Sequence, residues 1–259
     1  MQTIILYDIS EIIYKKMQGK RIELNGGEGN FCLSDKQNLE FVANAKSLPR
    51  IIEKMQRKGK NTLSEVGDVV RGRINCKDVH QAKQILEILQ RELPKKNKEI
   101  IEIDDMISNP RAEYKGRIHL AIKDNETGVI FELQMGSKNI TNFIERPVTI
   151  NYGKRIDFIN NGANIIETED ILNSTYHDLI YKALKKLKNT PKYKYLDQNF
   201  ELINQKYIQI MDEIYTSEIN NAYEKNKVDI ARSIDEFDKI IISAFSKVNK
   251  EDMIKILGN

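Results

Sequence analysis

Three short stretches constrain this chain more than anything else in it: Val66–Ile74, Arg117–Lys123 and Val129–Met135. The first is an apolar run carrying charges, and the other two alternate between apolar and polar residues. In a strand, successive side chains point to opposite faces, so Glu132 and Gln134 must share one face. The first stretch carries Asp68 near its start and Arg71 and Arg73 near its end. One acidic residue from each of two neighbouring strands is the minimum that holds a magnesium ion against a nucleotide phosphate. The three stretches are therefore expected to pair in one sheet, with Asp68 and Glu132 turned toward a common cation.

The surrounding pattern supplies helices for that sheet. Ile4–Met17 repeats apolar residues at helical spacing, and so does Lys77–Glu92, which Pro94 stops. Ser34-Asp35-Lys36-Gln37 has the form of a helix start, with a helix expected from there toward Ala45. Asn25–Asn30 reads as a glycine-rich loop; no Gly-Lys-Ser/Thr follows it, which argues against a phosphate loop. Glu99–Ile103 reads as a short strand, Asn109–Gly116 as loop, and Asp124–Gly128 as hairpin material. The fold class expected is α+β, a mixed, mainly antiparallel sheet with flanking helices and a helical C-terminal tail.

A second helix is expected to open at Ser47-Leu48-Pro49, proline being tolerated in a first turn. Lys46, Arg50, Lys54 and Arg57 then fall within about 80° of one another, a cationic ridge. Leu48, Ile51, Ile52 and Met55 take the opposite side. Six basic residues against the single acid Glu53 lie between Asn44 and Lys60. A solvated face explains such a ridge in isolation; delivered into the Asp68 strand, it suits a polyanion such as a triphosphate.

Beyond Gly136 the signal weakens. Val148–Ile159 is expected to hold one or two strands around Tyr152-Gly153-Lys154. From Glu169 onward a helical reading follows, through Leu172, Tyr176, Leu179, Ala183 and Leu187 on one face and then Leu196–Ala222. Ser233-Ile234-Asp235-Glu236 reads as a capping box opening a further helix. Asn189-Thr190-Pro191 marks the expected boundary of the core. The division expected is an N-terminal segment 1–33, a core 34–188 and a helical extension 189–259. Tyr207, Met211, Ile214 and Tyr215 are too apolar to be left in water. Self-packing, a homo-oligomer or an antitoxin would each cover them.

Composition excludes several classes. The net charge, 41 − 38 = +3 over 259 residues, does not by itself argue for general nucleic-acid binding, and its distribution matters more. No stretch approaches the roughly 20 apolar residues of a membrane span. Asp8 and Glu11 stand where a signal peptide would be basic, so the chain is read as cytosolic, with signal-independent export left open. Cys32 and Cys76 lack metal or disulfide spacing, and His80, His119 and His177 are too scattered for a metal cluster.

Four segments in order, and more loosely a fifth, resemble the synthetase domain of the RelA/SpoT family, over roughly Phe41–Lys185. Lys46-Ser47-Leu48-Pro49-Arg50-Ile51-Ile52-Glu53-Lys54-Met55 is similar to the family's Lys-Ser-x-x-Ser-Ile-x-x-Lys-Leu helix. Asp68-Val69-Val70-Arg71-Gly72-Arg73 resembles Asp-x-x-Gly-x-Arg, and Tyr114-Lys115-Gly116-Arg117-Ile118-His119 resembles Gly-Tyr-Arg-Ser-Ile-His. Glu132-Leu133-Gln134 matches Glu-Val-Gln, and His177–Lys182 is similar to a terminal His-x-x-x-Tyr helix.

The resemblance implies transfer of pyrophosphate from ATP to the 3′-hydroxyl of an acceptor nucleotide. It implies that Lys46, Lys54 and Arg57 bind ATP phosphates and that Arg73 stacks on adenine. It makes Asp68 a Mg2+ ligand and Glu132 the second ligand or general base, with Gln134 beside it. Tyr114 would stack on the acceptor base, with His119 and His177 near the acceptor. Asn44, Arg71, the Tyr114–His119 spacing and Met135-Gly136-Ser137 depart from the family pattern, the last two on the acceptor side. Three acceptors stay open: a guanine nucleotide, an adenine nucleotide, and the 3′ end of tRNA in a toxin-type relative. Three scattered histidines do not build the family's hydrolase site, so no hydrolase activity is expected. The alternative of another class is a catalytically degenerate nucleotide-binding module acting through protein partners of its tail.

Overall fold

A computed structural model describes residues 8–9, 11–13, 23–27, 30–34, 39–45, 52, 55–56, 59, 70–153, 155–159, 162–166 and 170–258. It falls into two compact units, Met1–Thr141 and Asn142–Asn259.

The first unit is built on a seven-stranded sheet. In chain order its strands are β1 (Glu23–Gly27), β2 (Asn30–Ser34), β3 (Glu40–Ala45), β4 (Val70–Cys76), β5 (Lys98–Asp105), β6 (Arg117–Asp124) and β7 (Ile130–Ser137). Their spatial order is β1-β2-β3-β4-β7-β6-β5, and every pairing is antiparallel except the parallel β4–β7 pair. The α+β class with a mainly antiparallel mixed sheet is what the sequence pattern leads one to expect.

Alternation explains which face is core. Along β6, and along β7 as far as Met135, half-buried residues alternate with buried ones, and the buried apolar side chains are Ile118, Leu120, Ile122, Phe131, Leu133 and Met135. Helix α1 (Val79–Glu92) packs on that face through β4, β6 and β7, burying Val79, Ala82, Ile85, Leu86 and Leu89. Asp78 caps it, accepting from the Gln81 amide at 2.8 Å. The N-terminal helical residues bury Ile9, Ile12 and Ile13, while Asp8 pairs with the buried Lys98 at 2.9 Å.

Two expectations for this unit fail. Asn25–Asn30 is not simply a loop, because Asn25 to Gly27 lie in β1 and Asn30 opens β2, Gly27 pairing with Asn30. Residues 40–45, expected in a helix, form β3 instead. Phe41 is buried opposite Ile74, and its neighbours Glu40 and Val42 are only half-buried, a period of two that the short apolar run concealed. Ile52 lies in helix as expected but is 45 % exposed, not turned into a core.

Helix α2 (Lys138–Ile144) follows β7, and the second unit then holds two small antiparallel pairs, β8 (Pro147–Asn151) with β11 (Ile171–Thr175), and β9 (Arg155–Ile159) with β10 (Gly162–Ile166). The helical reading from Glu169 is therefore wrong at its start: β8 captures Ile171–Thr175 as a strand, in which Leu172 is buried between exposed neighbours. A π-helical segment Asp178–Leu184 then runs into α3 (Lys185–Lys188) and a 3-10 turn Pro191–Leu196. A helical hairpin follows, α4 (Asp197–Ile219) and α5 (Tyr223–Phe245), and the chain ends in α6 (Lys250–Leu257). Ser233 opens no helix; it lies inside α5, which begins ten residues earlier, so Ser-x-x-Glu there is a helix-interior sequence. Tyr207, Met211 and Ile214 are buried, so the chain itself covers the apolar face of α4.

Candidate functional site

The face of the large sheet opposite α1 carries polar rows that cross several strands. One row is Val42, Arg73, Gln134, His119 and Asp104, on β3, β4, β7, β6 and β5 in turn. The next is Asn44, Arg71, Glu132, Ala121 and Glu102 on the same strands. A third is Glu40, Asn75, Gly136 and Arg117. Parity dictates this arrangement. Once β4 and β7 pair in this register, residues 71, 73 and 75 must share a face with 132, 134 and 136.

Glu132 is the centre of the second row. Its Oε1 accepts from the Gln134 amide at 2.6 Å, and its Oε2 lies 3.4 Å from Arg71 Nε. Both carboxylate oxygens are thus aimed by neighbours, and the Glu132 side chain remains 20 % exposed. His119, one strand over, is half-buried, and its Nε2 is buried without a hydrogen-bond partner among the described residues. Burial pushes its imidazole below the ordinary value of 6.5. Glu132 and Asp104 pull the other way, while Arg117 and Arg111 reinforce the depression.

The loop after β5 extends the site. Asp105 accepts from the Ile107 and Ser108 amides, both at 3.0 Å, and pairs with Lys83 of α1. Burial alone would raise the Asp105 carboxyl; the bonds from Lys83, Ser108 and Ile107 outweigh it and hold it below 3.8. Arg111 pairs with Asp104, and its guanidinium stands 6.0 Å from the centroid of the Tyr114 ring, which is 39 % exposed. Gly116 ends the loop at φ +66°, where a Cβ would overlap Ile140 Cδ1. At Gly136 a Cβ would come within 2.9 Å of Arg117 Cγ, so the missing side chain is what lets Arg117 cross β7.

Of the residues singled out from the sequence, Arg73, His119, Glu132 and Gln134 stand on one face, and the Arg111–Asp104 pair links Tyr114 to it. Lys46, Lys54, Arg57 and Asp68 lie outside the described residues. His177 belongs to the second unit, ahead of the π-helical segment, with Nδ1 3.2 Å from Asp178 Oδ1 and its ring 5.0 Å from Tyr181. Sequence reasoning missed Arg71 and Arg117 as members of the face. The signal for Arg71 was available, since it alternates with Arg73; that for Arg117 needed the register. Among the described residues no group of three or more His, Cys, Asp or Glu is placed to hold a metal ion. Glu132 and the Gln134 amide oxygen are hard oxygen donors at the centre of the face. Magnesium commonly takes only one or two carboxylates and completes its shell with phosphate and water, so this donor set is compatible with it.

Fold and face together define an α+β protein whose large sheet presents a mixed-charge polar face. Residues 43–156, which include the β4, β6 and β7 residues of that face, match the model of the region found in RelA / SpoT proteins, and the chain carries that region. No curated protein matches the chain. Among solved structures, it is similar to small alarmone synthetase 1 from Bacillus subtilis, at 17 % identity over 71 % of this chain and 80 % of that one, TM-score 0.41. It is also similar to small alarmone synthetase 2 from Bacillus subtilis, at 19 % identity over 55 % and 70 %, TM-score 0.39. A GTP pyrophosphokinase family protein from Streptococcus pneumoniae matches at 17 % identity over 90 % and 88 %, TM-score 0.42. No helix among the described residues is long and apolar enough to cross a membrane.

Proposed function

We propose that the chain is an ATP-dependent pyrophosphotransferase whose reaction runs on the Glu132 face of the large sheet. The observation that carries this reading is the convergence of Glu132, Gln134, Arg73 and His119 on one face within the segment that matches the RelA / SpoT region. The acceptor's 3′-oxygen attacks the β-phosphorus of ATP; the Pα–O–Pβ bridge breaks and AMP leaves with the bridging oxygen. The hydroxyl proton passes to Glu132, which Gln134 and Arg71 orient from either side. Arg73 and, by the resemblance, Lys46, Lys54 and Arg57 take up triphosphate charge. Neutral His119 offers a buried ring nitrogen beside the acceptor phosphate, and Tyr114 an exposed ring for the acceptor base. His177 is assigned to the acceptor by the resemblance alone. Mg2+, which Glu132 together with Asp68 would hold, would supply neutralisation of the triphosphate charge when bound.

Arg71 bears on whether Glu132 is available. Its side chain is 44 % exposed, so the pair contributes only about 0–1 kcal/mol and yields to a substrate at little cost. The test is transfer of label from γ-labelled ATP to GDP, GTP, ADP, ATP and tRNA, offered separately. Label on a guanine nucleotide alone makes the chain an alarmone synthetase; label on an adenosine 3′ end makes it a toxin-type relative. Label on none of them, with ATP still bound, overturns catalysis and leaves a nucleotide-binding module.

A further inference from the structure

A lysine-rich surface of the second unit stands apart from the transfer face. Between Lys185 and Leu196 there are five lysines and no acid. Lys185, Lys186, Lys188, Lys192 and Lys194 are all exposed, distributed over α3 and the 3-10 turn. The apolar residues of the same segment, Leu187, Tyr193 and Leu196, are buried, so the turn has a fixed inner face and a cationic outer one. Lys188 pairs with Glu201 and Lys192 with Asp252, each at 2.8 Å and each in solvent, where such pairs exchange readily for another anion. Lys194 and Lys247 form no ion pair among the described residues.

Tyr195 gives this surface a second character. Its ring is 65 % exposed, the most exposed aromatic among the described residues, yet it is not loose. Its hydroxyl donates to the Lys247 carbonyl oxygen at 3.0 Å, which ties the exposed ring to the end of α5 and brings Lys247 alongside. A tethered, exposed aromatic on a turn that also carries the exposed Lys192 and Lys194, with the Lys247 backbone at its hydroxyl, combines a stacking platform with cations for a phosphodiester backbone. That pairing is the physical requirement for binding single-stranded nucleic acid with little sequence preference. A membrane surface fits less well, because no aliphatic side chain projects from the patch to enter a lipid phase.

We propose that Lys185–Tyr195, with Lys247, docks single-stranded nucleic acid, the bases stacking on Tyr195 and the backbone following the lysines. The proposal does not rest on the transfer reaction, and its test reads binding alone. Fluorescence anisotropy of the full chain with a labelled pyrimidine 20-mer, as RNA and as DNA, is compared with a duplex of the same length and with anionic phosphatidylserine vesicles. The single strands should bind, with log K falling against log salt at a slope of about −3 for roughly four contacted phosphates. Tyr195→Ala should weaken binding about tenfold and leave the slope unchanged, while Tyr195→Phe keeps most of the affinity. Replacing Lys192, Lys194 and Lys247 together by Glu should remove most of the slope. Tighter binding of duplex or vesicles than of the single strands overturns the proposal, as does indifference to both sets of substitutions. The RNA and DNA arms separate the two sources of strand.

Discussion

Glu132 and Arg71 face each other across the parallel pair of the sheet, Oε2 to Nε 3.4 Å, while Gln134 holds the other carboxylate oxygen at 2.6 Å. The carboxylate is therefore presented in a defined orientation by two groups that make no strong claim on its charge. Glu132→Gln keeps the shape and both neighbours but removes the negative charge. Pyrophosphate transfer should fall by about 10²–10³ with little change in melting temperature. Arg71→Ala should cost much less, within about tenfold, because a half-exposed pair contributes so little. Equal losses from the two substitutions would show that Arg71 binds substrate and does not merely orient Glu132.

His119 makes the face sensitive to acid. Because burial lowers its pKa, the unfolded chain binds a proton at a pH where the folded chain does not. Stability should therefore rise with pH through the window just below 6.5 and level off above it. His119→Gln should flatten that rise. Urea unfolding midpoints at about pH 5 and about pH 7.5, for both proteins, measure it.

What the sequence disclosed follows from periodicity. β6, β7 and α1 were legible because their apolar residues repeat over seven or more positions and because a hairpin turn or a cap marks their ends. β3 was not, since six residues around Phe41 fit either period until β4 pairs with them. β11 was hidden for a similar reason: Leu172 lies at a spacing from Tyr176 that also fits a helix, and only pairing with β8 decides the matter. The site divides the same way. Glu132 and Gln134 could be placed on one face from alternation alone, as could Arg71 with Arg73 on its own strand. Their alignment with His119, Asp104 and Arg117 depends on register, which no single strand encodes.

Gly116 separates two costs that usually come together. At φ +66° any Cβ is strained, and here it would also overlap Ile140 Cδ1. Gly116→Ala should destabilise the first unit by about 2–3 kcal/mol. Adding Ile140→Val removes the overlapping methyl, so the double substitution should cost less than the sum of the single ones and leave roughly 1–2 kcal/mol of backbone strain. Strict additivity in denaturant unfolding would mean that Ile140 moves aside freely.

In the second unit, Asp238 joins three elements. Its Oδ1 accepts from the Tyr176 hydroxyl at 2.6 Å, and its Oδ2 accepts from Arg146 Nε and Nη2 at 2.9 and 2.6 Å. Tyr176 is fully buried among Phe143 and Phe237, and burial together with the Asp238 bond drives its hydroxyl far above the ordinary phenol range. Asp238→Ala leaves that hydroxyl in the core without its acceptor, a loss of about 1–3 kcal/mol. Arg146, by contrast, is 38 % exposed and can turn to water. Tyr176→Phe removes the hydroxyl that would be orphaned, so the pair of substitutions should cost clearly less than the sum of the single ones. Asp238→Asn keeps a neutral acceptor for Tyr176 and should fall between wild type and Asp238→Ala. Thermal unfolding of the four proteins gives the coupling directly, and a coupling of zero would mean that Arg146, not Tyr176, is the partner that matters.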